Sequence, residues 1–303
     1  MAKIQNATLI GALWALTAVF VWSGSLVLLR LGVTTHLNAY DLTALRFGSA
    51  ALVLMPVILK TGFAFRRLGV VGLVLMICGF GAPYIVLVSQ ALQTAPASAA
   101  GAFNPGIMAV SSAVLGVMLF QDRLGWLRGI GILCILAGLL GSAWHHPTGL
   151  TTGHVILILT GVMWAVYAAV VRRARILALR ATAIVAVGSA LLYLPIYFTL
   201  LPKRIADAPL QDIMLQAGFQ GVLVSVFAVF AFNRSAELLG PVIGATLPAL
   251  IPLVTLGLGL AILEEPAGAS EVITALIIGV GVALILMGRS RKPVPLPKTI
   301  AVK

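Results

Sequence analysis

The stretch Thr94-Ala-Pro-Ala-Ser-Ala-Ala-Gly-Ala-Phe-Asn-Pro-Gly106, with the apolar run that follows it to Gly125, has a second copy later in the chain. A shift of 143 positions pairs these residues without a gap: Gly101 with Gly244, Pro105 with Pro248, Gly116 with Gly259, and Asp122 with Glu265. Each copy contains small residues, a proline inside an apolar helix pattern, and an acidic residue before the next apolar run. A fixed spacing of this kind indicates an internal repeat.

Both prolines are predicted to interrupt a helix. A proline has no N–H to donate, so it leaves the carbonyl four residues earlier without a partner. Those carbonyls belong to Gly101 and Gly244. Broken backbone at membrane depth is tolerated only where protein or a water-filled cavity can satisfy it. We therefore predict two gating hinges beside a cavity, at Gly101 with Pro105 and at Gly244 with Pro248.

The composition indicates a polytopic membrane protein. Of the 303 residues, 61% are hydrophobic and only 9% are charged, which excludes an ordinary water-soluble globular domain. A helix needs about 20 apolar residues to cross the hydrocarbon core. Reading the chain at that length predicts ten spans: 8–29, 42–59, 68–91, 97–120, 125–144, 153–171, 181–201, 213–232, 240–263 and 272–288.

The net charge of +12 reflects membrane topology. With ten spans, every Lys and Arg falls on the side of the two termini except Arg30, Lys203, Arg204 and the intramembrane Arg46. Because basic residues concentrate on the cytoplasmic side, both termini are predicted to be cytoplasmic. No nucleic-acid partner is predicted, since that would require a basic face on a soluble domain.

The repeat extends over both halves of the chain. At a shift of 142, Trp22 meets Trp164 and Arg30 meets Arg172. Each unit holds five spans, an odd number, so the second unit must be inverted relative to the first. The predicted fold is an all-α integral membrane protein of ten helices in two inverted five-helix repeats around a central cavity. The predicted divisions are repeats at 1–146 and 147–288 and a basic cytoplasmic tail at 289–303. Inverted repeats are the architecture of secondary transporters, with the substrate site near the bilayer midplane.

The candidate cavity residues are aromatic, polar or small residues deep inside the predicted spans. They are Trp22, Phe80, Tyr84, Gly101, Phe103, Asn104, Trp164, Tyr167, Phe230, Asn233 and Thr246. Simple helix packing is the alternative for Trp22 and Trp164, because buried aromatic residues are common in any core. Substrate contact is favoured for Asn104 and a structural hydrogen bond for Asn233, since amides in lipid must be hydrogen-bonded.

Arg46 is the one charge well inside a span, about 7 Å from the outer end by helical rise. Two readings are open. The side chain could extend its guanidinium to the interface, or it could attract an anionic group, such as a substrate carboxylate, in an outer vestibule.

No enzyme or metal signature is present. The chain lacks the phosphate-binding G-x-x-x-x-G-K-[ST] loop and the H-E-x-x-H zinc motif, and its cysteines, Cys78 and Cys134, lie inside apolar runs. We therefore expect no catalytic residue, metal or cofactor. All acidic residues fall in loops or near predicted helix ends, whereas ion-driven carriers usually place a carboxylate in the bilayer interior. This pattern predicts a passive facilitator.

Glycines in the fifth and tenth spans could let helix backbones approach closely. They are Gly129, Gly131, Gly138, Gly141, Gly279 and Gly281. If the protein forms a weak homodimer rather than remaining a monomer, these spans are the predicted dimer face.

Several motifs together resemble the EamA-type domains of the drug/metabolite transporter superfamily. They are the Leu45-Arg46-Phe47 run, the small-residue opening of the fourth span, the acidic break at Asp122 and the second copy ending at Glu264-Glu265. The resemblance implies a carrier of the bacterial inner membrane that exports small metabolites through a central cavity. The chain looks most similar to the amino-acid exporters, including those that pass aromatic amino acids.

Two other classes stay open at this point. The first is a drug/metabolite carrier of another specificity, such as a cationic drug, a nucleotide-sugar or a polyamine. The second is a membrane scaffold or receptor that transports nothing.

Overall fold

The structure is a computed structural model that describes residues 2–145, 151–239 and 247–288. These residues form helices and no strand. We number the α-helices in chain order: α1 Ala2–Thr34, α2 Ala39–Thr61, α3 Phe65–Phe80, α4 Ala82–Ala91, α5 Ala97–Phe120, α6 Trp126–His145, α7 Thr152–Ala174, α8 Ala178–Leu200, α9 Leu210–Gln216, α10 Val229–Leu239, α11 Ile251–Leu263 and α12 Ala269–Met287. A π-helix, Ala217–Ala228, joins α9 to α10 and is called the π segment below. A 3₁₀ turn, Leu247–Leu250, precedes α11.

These elements make ten apolar spans. In the described residues, eight helical stretches are long and apolar enough to cross a membrane, and the apolar helices Trp126–Ser142 and Ile251–Leu263 are shorter. α3 with α4 forms the third span, and α9 with the π segment and α10 forms the eighth. The outer surface carries many exposed leucines, such as Leu52 and Leu200, as expected for a surface that faces lipid. The predicted ten-helix membrane fold is confirmed.

The two repeats are intertwined. α1 packs mainly on α10 and α11 of the second repeat, and its counterpart α7 packs mainly on α3 and α5 of the first. The second and seventh spans, α2 and α8, pack on each other, as do the fifth and tenth, α6 and α12. This arrangement follows the symmetry of the repeats. The contacts of α1 with the second repeat correspond to those of α7 with the first, and the α2–α8 and α6–α12 contacts each join two equivalent helices. The centre of the bundle therefore lies between the repeats.

The glycines of α6 and α12 serve contacts inside the chain. A Cβ at Gly131 would lie 2.6 Å from the carbonyl oxygen of Gly281, and one at Gly281 would lie 2.7 Å from the carbonyl oxygen of Gly131. Gly138 likewise faces Ile278, and Gly279 faces the backbone of Ala249. The prediction of a dimer face is therefore wrong for these four glycines, because the close approach that they permit joins the two repeats.

The third span is broken at Gly81, between α3 and α4. Gly81 has φ −99° and ψ −145°, and a Cβ there would lie 2.2 Å from both the Ile77 carbonyl oxygen and Ser189 Oγ. The break frees the N–H of Ala82, which donates to Ser189 Oγ at 3.0 Å. The neighbouring α8 thus supplies the hydrogen-bond acceptor that a continuous helix would have supplied itself. Such a partner is needed because an unpaired backbone N–H is costly in an apolar environment.

The eighth span departs from α-helical geometry in its π segment. Ser49 Oγ of α2 donates to the carbonyl oxygen of Ala217 at 2.9 Å, and Gly221 is close enough to α2 that a Cβ would lie 1.7 Å from Ser49 Oγ. π-helical turns are uncommon and occur frequently at functional sites. The third and eighth spans are counterparts in the repeat, so both irregular segments occupy equivalent positions.

The prolines of the repeat have different surroundings in the two copies. α5 remains helical through Pro105, so the predicted interruption is not seen there. Pro248 lies in the 3₁₀ turn before α11, and Gly244 lies outside the described residues. The two copies therefore share a sequence pattern without sharing one local geometry.

Candidate functional site

A chamber of about 140 Å³ lies at the centre of the bundle, between the repeats. An apolar cavity of about 150 Å³ is large enough to hold benzene, so the chamber has room for an aromatic ring. Its walls come from α1, α2, α3, α4, α5, α7, α8, the π segment, α10 and α11. The side chains that matter most to its chemistry are Trp22, Ser25, Arg46, Phe80, Tyr84, Asn104 and Trp164.

One wall of the chamber is a cluster of aromatic rings around Phe80, the residue that ends α3. Phe80 stacks on Tyr167 with ring centroids 4.9 Å apart and on Trp164 at 5.3 Å. Tyr84 lies 5.1 Å from Phe80 on the other side of the break at Gly81. The break thus places two aromatic side chains, one from each half of the third span, against α7. Such a wall suits a flat apolar group.

A chain of hydrogen bonds fixes the polar ends of this wall. Tyr84 Oη donates to Asn104 Oδ1 at 3.0 Å, and Asn104 Nδ2 donates to Thr160 Oγ1 at 2.8 Å. Both ends of the Asn104 amide are therefore bonded within the chain. Asn104 lines the chamber as predicted, but its amide has the structural role that the sequence reading favoured for Asn233.

The opposite wall holds Arg46. Its Nη1 donates to Gln220 Oε1 at 3.0 Å and to Ser25 Oγ at 3.4 Å. Gln220 is fully buried in the π segment, and its Nε2 donates to the Ser25 carbonyl oxygen at 2.9 Å. Only 8% of Arg46 is exposed. Extension to the interface is wrong for Arg46, because Ser25 of α1 and Gln220 of the π segment hold its side chain in the lining of the chamber. Attraction of an anionic group by Arg46 stays a prediction.

A second cavity of about 240 Å³ adjoins the chamber. Trp22, Pro105 and Trp164 line both cavities, so the two tryptophans related by the repeat form the shared wall. The second cavity extends to Asp122, Arg128 and Arg172. The repeat thus contributes one tryptophan from each half to the wall that the two cavities share.

Among the described residues, two arginine–carboxylate ion pairs join the repeats, and His36 also contacts Asp212 across them at 2.7 Å. Arg30 Nε lies 3.1 Å from Glu265 Oε1, and Arg172 makes two contacts of 2.8 Å with the carboxylate of Asp122. Each pair joins the first helix of one repeat to the acidic residue that follows the fourth helix of the other. α1 and α7 run in opposite directions, so the pairs lie at opposite ends of the bundle, here called the Arg30 end and the Arg172 end.

Further contacts integrate both pairs into the helix bundle. Glu265 Oε2 accepts from the N–H of Ala97 at 2.9 Å, the first residue of α5, and Arg30 also donates to the carbonyl oxygen of Leu92. At the other end, the Arg172 guanidinium lies 4.0 Å from the centre of the Phe120 ring. The Arg30 pair therefore ties at least three spans together, whereas the Arg172 pair joins α7 to the end of α5.

Some predicted cavity residues lie elsewhere. Phe230 is 55% exposed and packs edge-on against Trp14 at 5.6 Å, so its placement in the cavity is wrong. Phe230 lies in α10, beyond the π segment, and its ring points towards Trp14 of α1. Gly101 packs against Thr255, and Phe103 is buried against His154. Thr246 lies outside the described residues, as does the side chain of Asn233.

The sequence reading missed Gln220 and Ser25. Gln220 is an amide in the middle of an apolar span, which is a readable signal because such a group must be hydrogen-bonded. Ser25 gives no comparable signal, since serine is ordinary in membrane helices. No group of three or more His, Cys, Asp or Glu side chains within the described part of the chain could hold a metal ion.

An intertwined bundle of ten apolar helices, with a chamber between inverted repeats, is the architecture of a membrane transport protein. The chain belongs to the EamA-like transporter family, whose model matches residues 9–144 and again residues 151–287.

Solved structures share this fold. Twenty chains match, and one of them, described as "Crystal structure of protein", is 24% identical over 92% of this chain and 96% of its own, with a TM-score of 0.62. No curated protein matches.

Proposed function

We propose that this protein exports amino acids, including aromatic ones, and related metabolites across the bacterial inner membrane by alternating access. The observation that carries the proposal is the central chamber, which combines the stacked wall around Phe80 with the polar wall at Arg46. An aromatic amino acid has a flat apolar ring and a charged end, and these two walls complement those parts.

The inter-repeat ion pairs supply a means of closing each end in turn. Both pairs are formed in this structure, which corresponds to a state with both ends bridged. Opening one end requires α1 to separate from α11, or α7 from α5, and it therefore breaks one pair while the other stays formed. In this scheme Pro105 and Pro248, with Gly101 and Gly244, are the points where the fourth and ninth spans bend, because a proline lowers the cost of bending a helix.

Transport is proposed to be facilitated diffusion without ion coupling. None of the described residues that line the chamber is acidic, so no carboxylate there is available to carry a proton or bind a sodium ion during the cycle. The same feature disfavours cationic drugs and polyamines as substrates, because the one charged side chain in the lining is Arg46.

The basic residues support an orientation with both termini in the cytoplasm. On that orientation the Arg30 end faces outwards and the Arg172 end faces the cytoplasm. We retain the division into repeats at 1–146 and 147–288 with a basic tail at 289–303. We also propose a monomer or weak homodimer, since four of the six glycines that could have formed a dimer face pack within the chain.

Efflux from liposomes tests the proposal. Purified protein is reconstituted, the liposomes are loaded with labelled L-phenylalanine, and efflux is followed with and without a proton gradient and then with a sodium gradient. We expect efflux faster than that from loaded liposomes without protein, in all of these conditions. Efflux that occurs only with an imposed ion gradient would refute uncoupled transport, and no efflux of any amino acid would refute the substrate class.

A further inference from the structure

Arg46 is a buried cation that has no counter-ion within the part of the chain that the structure describes. Among the described residues, no carboxylate lies within 4.0 Å of its guanidinium, and its hydrogen-bond partners there are the neutral Ser25 and Gln220. Removing a charge from water is costly unless an opposite charge and hydrogen bonds compensate for it. A side chain that lies in the middle of a membrane bundle with neutral partners alone is therefore a candidate for binding an anion.

The unused donors of Arg46 strengthen this inference. Its Nε is buried and has no hydrogen-bond partner, and no described residue accepts from Nη2. Nε and Nη2 lie on one edge of the guanidinium, the edge that binds a carboxylate through two parallel hydrogen bonds. Gln220 and Ser25 hold the other edge through Nη1. The side chain is thus fixed on one edge and unpartnered on the other.

The remaining described lining of the chamber offers no carboxylate to an ammonium group, and its aromatic rings offer only cation–π contacts. Apart from Arg46, the described lining residues are aromatic, aliphatic or neutral polar, and the Asn104 amide is already bonded to Tyr84 and Thr160. An ammonium that entered would lose its water and lie in the same small chamber as a guanidinium. Its positive charge would be destabilised there.

We propose that the central chamber is a site for aromatic monocarboxylates, in which Arg46 binds the carboxylate through Nε and Nη2 and the wall around Phe80 binds the ring. The ammonium group of an amino acid then contributes nothing to recognition. The proposal rests on the proposed function for the view that the chamber is the substrate site, and it extends the substrate class to ring-bearing acids without an amino group.

Three ligands with one ring and different charges separate the parts of this proposal. They are 3-phenylpropionate, which has the carboxylate alone, L-phenylalanine, which has both groups, and 2-phenylethylamine, which has the ammonium alone. Their dissociation constants are measured by isothermal titration on the purified full-length protein. We expect 3-phenylpropionate to bind at least as tightly as L-phenylalanine. We expect 2-phenylethylamine to bind roughly 10- to 100-fold more weakly than either, as the loss of charge-assisted hydrogen bonds predicts.

Variants of Arg46 assign the effect to this side chain. Arg46→Gln should weaken 3-phenylpropionate about 10- to 100-fold and leave 2-phenylethylamine unchanged or improved. Arg46→Lys keeps the positive charge but lacks the planar guanidinium. Its affinity for 3-phenylpropionate should lie between that of the wild type and that of Arg46→Gln. Arg66→Gln removes an exposed arginine at the start of α3 and is the matched control, with binding expected to equal that of the wild type. Thermal unfolding shows whether each variant is folded. If Arg46→Gln does not fold, the affinities of the wild type for the three ligands still test the proposed carboxylate selectivity.

Equal affinity of the wild type for 2-phenylethylamine and 3-phenylpropionate would overturn the proposal, as would an equal loss of both in Arg46→Gln. Tighter binding of L-phenylalanine than of 3-phenylpropionate would overturn the claim about the ammonium. Carboxylate-selective binding without transport in liposomes would support this site and refute the proposed function. Transport of amino acids without carboxylate-selective binding would support the proposed function and refute this site.

Discussion

Removal of the ion pair at the Arg172 end should release that end of the bundle. Arg172→Gln abolishes both 2.8 Å contacts with Asp122 and the 4.0 Å approach to the Phe120 ring. If the pair holds α7 against α5, its loss shifts the equilibrium towards the state in which this end is open. The opposite end, with Arg30 and Glu265 intact, stays bridged.

The expected size follows from the exposure of the pair. The Arg172 side chain is 52% exposed and that of Asp122 is 22% exposed, so solvent screens the attraction and the pair contributes only about 0.5–1 kcal/mol. The cation–π contact adds about 0.5–1 kcal/mol at an exposed site. Together they give about 1–2 kcal/mol, which corresponds to a roughly 5- to 30-fold change in the equilibrium.

Thiol labelling measures that change. Ser112 lines the cavity beside the Arg172 end, so Ser112→Cys is made in a protein whose native cysteines are replaced, Cys78→Ala and Cys134→Ala. Labelling of purified protein by a water-soluble thiol reagent should be roughly 5- to 30-fold faster in the Arg172→Gln background.

Arg30→Gln is the matched control, because it removes an inter-repeat pair at the other end. It should leave the labelling of Ser112→Cys unchanged or slower. Equal acceleration by Arg30→Gln and Arg172→Gln would show general loosening and would refute the reasoning, as would an unchanged rate in Arg172→Gln.

Three other substitutions test parts of the site. Gly81→Ala should lower the free energy of unfolding by about 1–3 kcal/mol, because a Cβ there would lie 2.2 Å from a backbone carbonyl oxygen. Gly257→Ala is the control, since no atom lies within 4 Å of its added Cβ, and its thermal unfolding should match that of the wild type. Phe80→Ala should weaken binding of L-phenylalanine by about 0.5–1.5 kcal/mol or more without affecting an aliphatic amino acid, and the exposed Trp126→Ala should leave both unchanged in the same titration. Pro105→Ala should slow efflux from liposomes and leave the unfolding midpoint nearly unchanged, because α5 is already helical through this position; wild-type efflux would contradict its role as a hinge.

The sequence predicts the architecture well because hydrophobic length and charge placement are one-dimensional signals. Ten apolar runs become ten spans. The repeat pairs Trp22 with Trp164, and both side chains line the wall that the two cavities share. The repeat also pairs Arg30 with Arg172 and Asp122 with Glu265. Which arginine meets which acid depends on how the repeats intertwine, and that is a property of the packing alone.

The errors arise where a one-dimensional pattern does not fix the direction of a side chain. A spacing of three puts Phe230 on one face with Asn233, but it does not show which way Phe230 points, and its ring is 55% exposed and packs against Trp14. Arg46 was placed by its distance along α2, whereas its surroundings depend on how closely the π segment approaches α2 at Gly221. The break at Gly81 has a visible signal in the Gly-Ala-Pro sequence, yet only the structure shows that Ser189 satisfies it.

The central claim is that one chamber is exposed to each end of the bundle in turn. Counterflow tests it most directly. Liposomes are loaded with a high concentration of unlabelled L-phenylalanine and diluted into a trace of the labelled compound. The same buffer on both sides excludes a sodium gradient, and a protonophore removes any proton gradient. Alternating access predicts a transient accumulation of label inside above its external concentration, and this accumulation should vanish when the internal substrate is omitted. Entry of label only to equal concentrations, whatever the internal load, would identify a continuous pore and contradict the account.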